Sequence, residues 1–471
     1  MDEAELLVAA GRCYRNANAH RDAWRRLLRA IDLYRDRENA VGMADATLEA
    51  MQVEAPPARL VALNNEVLGL LGDDEPEVEA RLLGRGLAIL GVGPQQRPEQ
   101  HRLRASELAE SHDLDDVRAL LNFSAGLEAN ILRRREEGAT LHLRAAQQFE
   151  ALGLMRDSGM AQYLASTNLI SSGQLDEARR VSEEGVAYAR RYHLPYFEEN
   201  LAASHAGPLL ALCDFDALQI VLDEQADASS YMVSGIAAFW ALQRGDLAAA
   251  REALPAVEVA GGIPVQVAVV HSVHARTLLL AGDADGASHH IAKMREAMDA
   301  APQSIERAGV NLIVGVFLSA GESGLELAGS DVADAVLEEL RGQDAAYMIP
   351  LGTSGRVIQG RYALATGELP EAHGHFAETL EWAEREGAYV IAGQCHQGLA
   401  EVAIRRGNTA DAMEHLDAAM KLFEQYGAKL YLDQVIAKKL ELQGVSPADA
   451  GPGAATIVAE TPALDDTIPA E

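Results

Sequence analysis

Lysine is scarce in this chain. Only five of its 40 basic residues are lysines, at positions 293, 421, 429, 438 and 439, and the rest are arginines. That usage fits a GC-rich bacterial genome. Positive charge is short as well, because 71 acidic residues leave a formal net charge of −31. No basic stripe interrupts the acidity, so a nucleic-acid partner is excluded: phosphates would meet a repelling surface. The three cysteines, Cys13, Cys213 and Cys395, are odd in number and far apart. They imply no disulfide framework and fit a reducing compartment. Long hydrophobic runs are missing, since Val265 to Val270 and Leu312 to Leu318 are far too short to span a bilayer. The start, Met1-Asp2-Glu3-Ala4-Glu5, is acidic and lacks the charged-then-apolar pattern of a secretion signal. A cytoplasmic location is expected. The dipeptide Gly-Lys is absent, which removes the phosphate-binding loop of nucleotide hydrolases. Aromatic residues make up only 5%, so the packing must rest on small and aliphatic side chains.

What is present is a cadence: a small residue, a glycine seven positions later, and an alanine five after that. It reads Ser166-Gly173-Ala178, Ala238-Gly245-Ala250, Ala275-Gly282-Ala287, Gly360-Gly367-Ala372 and Ala400-Gly407-Ala412, with a sixth copy at Gly11 and Ala23 in which Asn18 takes the glycine slot. The recurrence marks a helical-repeat solenoid. Two helices approach closely where both present small side chains, and the glycine between them sits just past a helix end, where a positive φ is cheap only without a Cβ. A large apolar residue follows the alanine by four in most copies: Leu27, Leu254, Ile291, Phe376 and Leu416. Ser182 breaks this rule in the Gly173 copy. Polar residues after the glycine, such as Asp246, Asp283, Glu368 and Asn408, suit the free N–H groups and positive end of the next helix.

Helical periodicity runs almost throughout, and the period predicts about eleven helix pairs. Residues 1–152 are expected to be N-terminal repeats, less regular after the first unit. Turn signals lie at Pro56-Pro57, Gly72-Asp73-Asp74, Gly91 to Pro94, His112-Asp113 and Glu137-Gly138. Residues 153–443 are expected to be regular repeats closed by a capping helix over Lys429 to Gln443. Degenerate turns are predicted near Cys213 to Asp216 and Gly329 to Asp331. Pro264 marks a loop entering a helix rather than a strand. From residue 444 to 471 the chain carries five acids, no base and no helical stripe, and reads as a disordered acidic tail or linker.

The small–Gly–Ala pattern resembles the tetratricopeptide repeat, and Gly11 followed by Tyr14 fits that family's first-helix motif. Ala363 departs from it in the aromatic slot, the closing proline is mostly absent, and the repeats are long. The segment from Gly398 to Ala428 is similar to the closing repeats of bacterial class III nucleotide cyclases and ATPase-linked transcriptional regulators. The resemblance implies an all-α, right-handed superhelical solenoid, and a chain that binds rather than transforms. No companion catalytic or DNA-binding domain is present in the sequence.

Candidate chemistry is thin. His271, His274 and the pair His289-His290 fall within one repeat and could present imidazoles to zinc, but no cysteine or carboxylate completes the set. His373-Gly374-His375 and Cys395-His396 lack an orienting group for a nucleophile. Paired glutamates such as Glu183-Glu184, Glu198-Glu199 and Glu338-Glu339 read as solvated helix faces, and Arg133 to Arg135 before Glu136-Glu137 as local ion pairing. No metal, cofactor or enzymatic activity is expected. In repeats of this type the first helix of each pair lines the inner surface, which places Arg12, Arg15, Asn16, Thr167, Phe239, Gln243, Arg276, Arg361, Gln397 and Glu401 there. Arginines would orient a protein or peptide ligand and Phe239 would anchor it. The other reading is a regulatory or dimerisation arm for an attached or associated cyclase or ATPase domain, with an apolar patch on the outer face or an end and homo-oligomerisation left open.

Overall fold

A computed structural model describes residues 2–17, 19–53, 55, 57–72, 75–89, 98–226, 230–254, 264–300, 337, 340, 348–349 and 353–444. The expected turns at Gly91 to Pro94 and Gly329 to Asp331, the glycine-slot residue Asn18 and the tail from 445 lie outside the described residues, as do Pro56, Asp73 and Asp74.

Among the described residues the chain is all-α apart from one short antiparallel ladder, β1 (Met348–Ile349) with β2 (Thr353–Ser354), in which Met348 pairs with Ser354. It forms two compact units, one up to His205 and one from Ala206 onward. The first unit contains α1 (Glu3–Asn16), α2 (His20–Asp36), α3 (Ala40–Ala50), α4 (Pro57–Leu70), α5 (Pro76–Leu87), α6 (Pro98–Ser111), α7 (Asp115–Ile131), α8 (Arg135–Ala151), α9 (Met155–Ser171) and α10 (Leu175–Arg191). The division falls within α11 (Pro195–Ala211). The second unit continues with α12 (Phe215–Glu224), α13 (Tyr231–Gln243), α14 (Leu247–Glu252), α15 (Pro264–Leu280) and α16 (Ala284–Ala300). It ends with α17 (Gly355–Ala365), α18 (Leu369–Glu386), α19 (Tyr389–Arg405), α20 (Thr409–Gln425) and α21 (Lys429–Leu442). That is ten pairs and a final helix among the described residues. Each helix packs chiefly on its sequence neighbours.

The turn glycines of the cadence carry the expected backbone: Gly173, Gly245, Gly282, Gly367 and Gly407 all have φ between 74° and 80°. Elsewhere, inside the irregular stretch and outside it, the same turn is made with a different residue. Glu38, Asp113, Arg133, His193 and Cys213 hold positive φ without being glycine, a conformation that costs roughly 1 kcal/mol for a side chain with a Cβ. Two of these lie where turns were expected, at His112-Asp113 and Cys213-Asp214. The turn sought at Glu137-Gly138 falls earlier, around Arg133, and both residues belong to α8. The side-chain oxygens of Asp214, Asp246 and Asn408 then accept hydrogen bonds from the first-turn N–H groups of the next helices.

Close helix approach follows from the small residues. Ala23, Ala178, Ala250, Ala287, Ala372 and Ala412 are all completely buried, as are Ser166, Ala238 and Ala275. A Cβ on Gly11 would come within 2.6 Å of Leu27, so the two residues of that copy interlock. Leu27, Ile291, Phe376 and Leu416 fill the core, each worth about 1.5–3 kcal/mol of burial.

In the second unit α21 also contacts α13, a packing between helices far apart in the chain. Leu430 and Tyr431 share a core cluster with Cys213, Phe215 and Leu280 as well as with Val390 and Phe423. The last helix is therefore more than a cap on the final pair.

Candidate functional site

In the first unit the opening helices of successive pairs carry a ladder of guanidinium and carboxylate groups. Glu49 on α3 accepts from Arg12 Nε at 2.8 Å and from Arg15 Nη1 at 2.5 Å, both on α1. Arg15 also donates to Gln52 Oε1 at 2.6 Å and, more weakly, to Asn16 Oδ1 at 3.4 Å. Further along, Arg81 on α5 donates to Asp116 on α7 at 2.7 Å, and Arg85 grips Asp157 on α9 with two bonds of 2.5 and 3.0 Å. Burial pulls the Arg15 pKa down, against the pull of Glu49 and Asp157. Burial also works against the Arg85 cation, but Asp157 outweighs it and leaves that group above its ordinary range. Charge-assisted, paired bonds of this sort fix side-chain geometry.

Sequence reasoning placed Arg12, Arg15 and Asn16 on this face and missed their partners. The signal was available: Arg12–Glu49 and Arg15–Gln52 are each 37 residues apart, and Arg81–Asp116 is 35 apart. Those spacings are one repeat, so opposite charges a period apart meet across adjacent helices. Thr167, on α9, spends its hydroxyl on the carbonyl of Tyr163 at 2.9 Å, within its own helix.

The second unit draws several predicted residues together and buries them. Phe239 is 3% exposed and Arg276 6%. The Arg276 guanidinium lies 3.8 Å from the centre of the Phe239 ring, a cation–π contact. Gln243 is buried. Burial pulls the Arg276 pKa down to about 10; Tyr431 of α21 favours the cation by charge and by a hydrogen bond, and Arg361 disfavours it. Gln397 Nε2 donates to Gln434 Oε1 of α21 at 3.2 Å. Glu401 pairs with Arg405 at 3.4 Å and with Lys438 of α21 at 3.5 Å. Phe239 is thus a core residue rather than an exposed anchor.

The histidines pair across helices in a fixed register. His271 and His290 bring their Nδ1 atoms to 2.9 Å, and His274 stacks on His290 with centroids 4.5 Å apart. His396 and His415 meet at 3.0 Å, and Arg356 Nη1 lies 2.9 Å from His375 Nδ1. All three pairs are separated by 19 residues. His290 and His396 are held down to about 4, first by burial and then by the neighbouring imidazoles. Among the described residues no three His, Cys, Asp or Glu side chains are arranged to hold a metal ion. Cys395 is buried, its thiol pushed up by desolvation, while its neighbour His396 faces His415 instead. His142, which sequence reasoning passed over, is also buried and held down to about 4; its ring fills the space above Gly126, where a Cβ would lie 2.6 Å from it. Arg134–Glu137 forms the local pair expected of the arginine run, at 2.9 Å.

No protein-family model matches the chain, and no curated protein matches it. Solved structures align over most of its length, three of them as follows. The APC/C hetero-tetramer Cut9-Hcn1 shares 12% identity over 94% of each chain, with a TM-score of 0.29. Yeast Tom70 shares 14% over 94% of this chain and 98% of its own, at 0.27. A circular tandem repeat protein with novel repeat topology shares 13% over 95% and 98%, at 0.17. Likenesses at these scores carry no functional argument. The chain's own helix pairs, with their interlocked small residues and positive-φ turns, are tetratricopeptide-like. Among the described residues, no helix is long and apolar enough to cross a membrane.

Proposed function

We propose that the chain is a non-enzymatic scaffold that binds a protein or peptide through the shared face of the first helices of its pairs, in bacterial cytoplasmic signalling. The observation that carries the reading is the Arg12/Arg15–Glu49, Arg81–Asp116, Arg85–Asp157 ladder. It holds both signs of charge in fixed positions on consecutive repeats, and Arg12 remains 56% exposed by side chain. An extended peptide crossing successive helices meets donors and acceptors at repeat intervals, which suits recognition of alternating side chains. The signalling context rests on the resemblance of Gly398 to Ala428 to repeats of bacterial regulators.

Selection of displayed peptides on the wild-type protein, with counter-screening on Arg12→Glu/Arg81→Glu, tests this reading. Selected peptides should lose at least tenfold in affinity for the variant. Equal binding to both proteins would overturn the assignment of the ladder.

The regulatory-arm reading has one observation in its favour. Ile131 and Leu132, adjacent at the end of α7, are 55% and 54% exposed, apolar area that a docked domain would cover. Ile131→Ser/Leu132→Ser should then abolish self-association or docking without altering peptide binding.

A further inference from the structure

The final helix is assembled as though it were a ligand of the unit that contains it. Tyr431, Gln434 and Lys438 stand at i, i+3 and i+7 of α21, one stripe of a helix. They face Arg276, Gln397 and Glu401, three of the residues expected to receive a partner. Lys439 adds an ion pair to Asp417 on α20. Beyond these helices, the Lys429 side chain lies against Gly245, 3.2 Å from where a Cβ there would stand, and Leu430 and Tyr431 pack in the cluster that includes Cys213, Phe215 and Leu280. One helix therefore bonds α15, α19 and α20 and touches the turn after α13.

Composition points the same way. Three of the five lysines in the chain, Lys429, Lys438 and Lys439, are on α21, which carries two acids, Asp433 and Glu441, in a protein of net charge −31. A locally cationic helix on an acidic body is electrostatically complementary to it. Lys438 and Lys439 use that complementarity directly, on Glu401 and Asp417.

We propose that the face of the second unit formed by α15, α19 and α20 is a docking surface for a lysine-bearing amphipathic helix of a partner protein, and that α21 occupies it in cis as a displaceable latch. The partner helix carries an aromatic hydroxyl, an amide and an ammonium at i, i+3 and i+7. This deepens the scaffold reading and rests on it, but uses residues of the second unit rather than the charged ladder of the first, so either can fail without the other.

The probe is a fluorescently labelled peptide of residues 429–442, titrated by anisotropy into three full-length proteins. These are the wild type, Lys438→Glu/Lys439→Glu, which loosens the latch, and Gly245→Cys/Lys429→Cys in a Cys13→Ser background, which locks it. A Cβ at 245 lies 3.6 Å from that of Lys429, within the span of a disulfide; the positive φ at 245 costs the cysteine roughly 1 kcal/mol, so the reduced double-cysteine protein is the reference for the locked one. The loosened variant should bind the peptide at least tenfold more tightly than the wild type. The oxidised, locked protein should not bind, and reduction should restore binding. Equal affinity for all three would place the peptide elsewhere and overturn the proposal. Absence of binding to any protein that melts cooperatively would show that α21 is fixed structure. If the loosened variant fails to fold, the locked protein compared before and after reduction still decides. Light scattering on the loosened variant adds one further outcome: a dimer with exchanged α21 would assign the surface to a second copy and overturn the partner helix.

Discussion

His396 and His415 face each other across the α19–α20 pair with their Nδ1 atoms 3.0 Å apart. One ring donates and the other accepts, an arrangement that protonation of the accepting nitrogen abolishes by setting two N–H donors against each other. The same register holds His271 opposite His290 and Arg356 opposite His375.

Stability should therefore fall in mild acid. His396 is held from its ordinary 6.5 down to about 4, by burial and then by His415. The unfolded chain binds more protons than the folded one between those values, so the contribution is complete above about pH 6.5 and disappears as the pH falls towards 4. Partial exposure discounts the effect to on the order of 1 kcal/mol per such histidine. Urea midpoints at pH 7.5 and 5 will measure it, and His396→Gln/His415→Gln should flatten the difference. An unchanged slope would assign the acid sensitivity to other groups.

Phe376 is clasped by two glycines. Its ring would lie 2.7 Å from a Cβ on Gly360 and 2.4 Å from one on Gly398. Gly398→Ala should cost about 1–3 kcal/mol by overpacking, and Phe376→Leu in the same chain should recover part of that loss. Thermal melts of the two single variants and the double variant give the coupling directly.

The Arg85–Asp157 pair, bonded twice, should be among the strongest ion pairs of the first unit. Both side chains are nearly buried, so Asp157→Ala strands a cation and should destabilise by about 3–5 kcal/mol. The exposed Arg25–Asp22 pair is the control; its loss should cost less than about 1 kcal/mol. Denaturant unfolding of both variants provides the comparison.

The thiols should separate by rate. Cys13 is exposed, while burial pushes the Cys213 thiol up to about 11 and raises that of Cys395 further. A maleimide reagent at pH 7 should modify Cys13 quickly, Cys213 slowly, and Cys395 only on unfolding. Fast labelling of Cys395 would mean that α19 opens in the native state.

The turn positions show where the sequence was legible and where it was not. Gly245, Gly282 and Gly407 announced their turns because glycine is the residue that adopts positive φ at little cost. Asp113 and Arg133 make the same turn with ordinary side chains, their strain offset by the packing on either side, so the cadence vanishes from the residues while persisting in the backbone. That is why the stretch from Gly42 to Ala151 looked irregular.

The sequence by itself determined the all-α class, the helix-pair repeat and the helices on which the candidate residues lie, because those follow from local spacing and from which side chains allow helices to touch. Only the tertiary structure decided which of those residues stay accessible. Phe239 is buried in a cluster with Trp240, Val269 and Ile291, while Arg276, Gln397 and Glu401 are bonded to α21, which also reaches α13. Contacts across some 190 residues depend on the accumulated rotation of every intervening pair, and no local pattern encodes that sum.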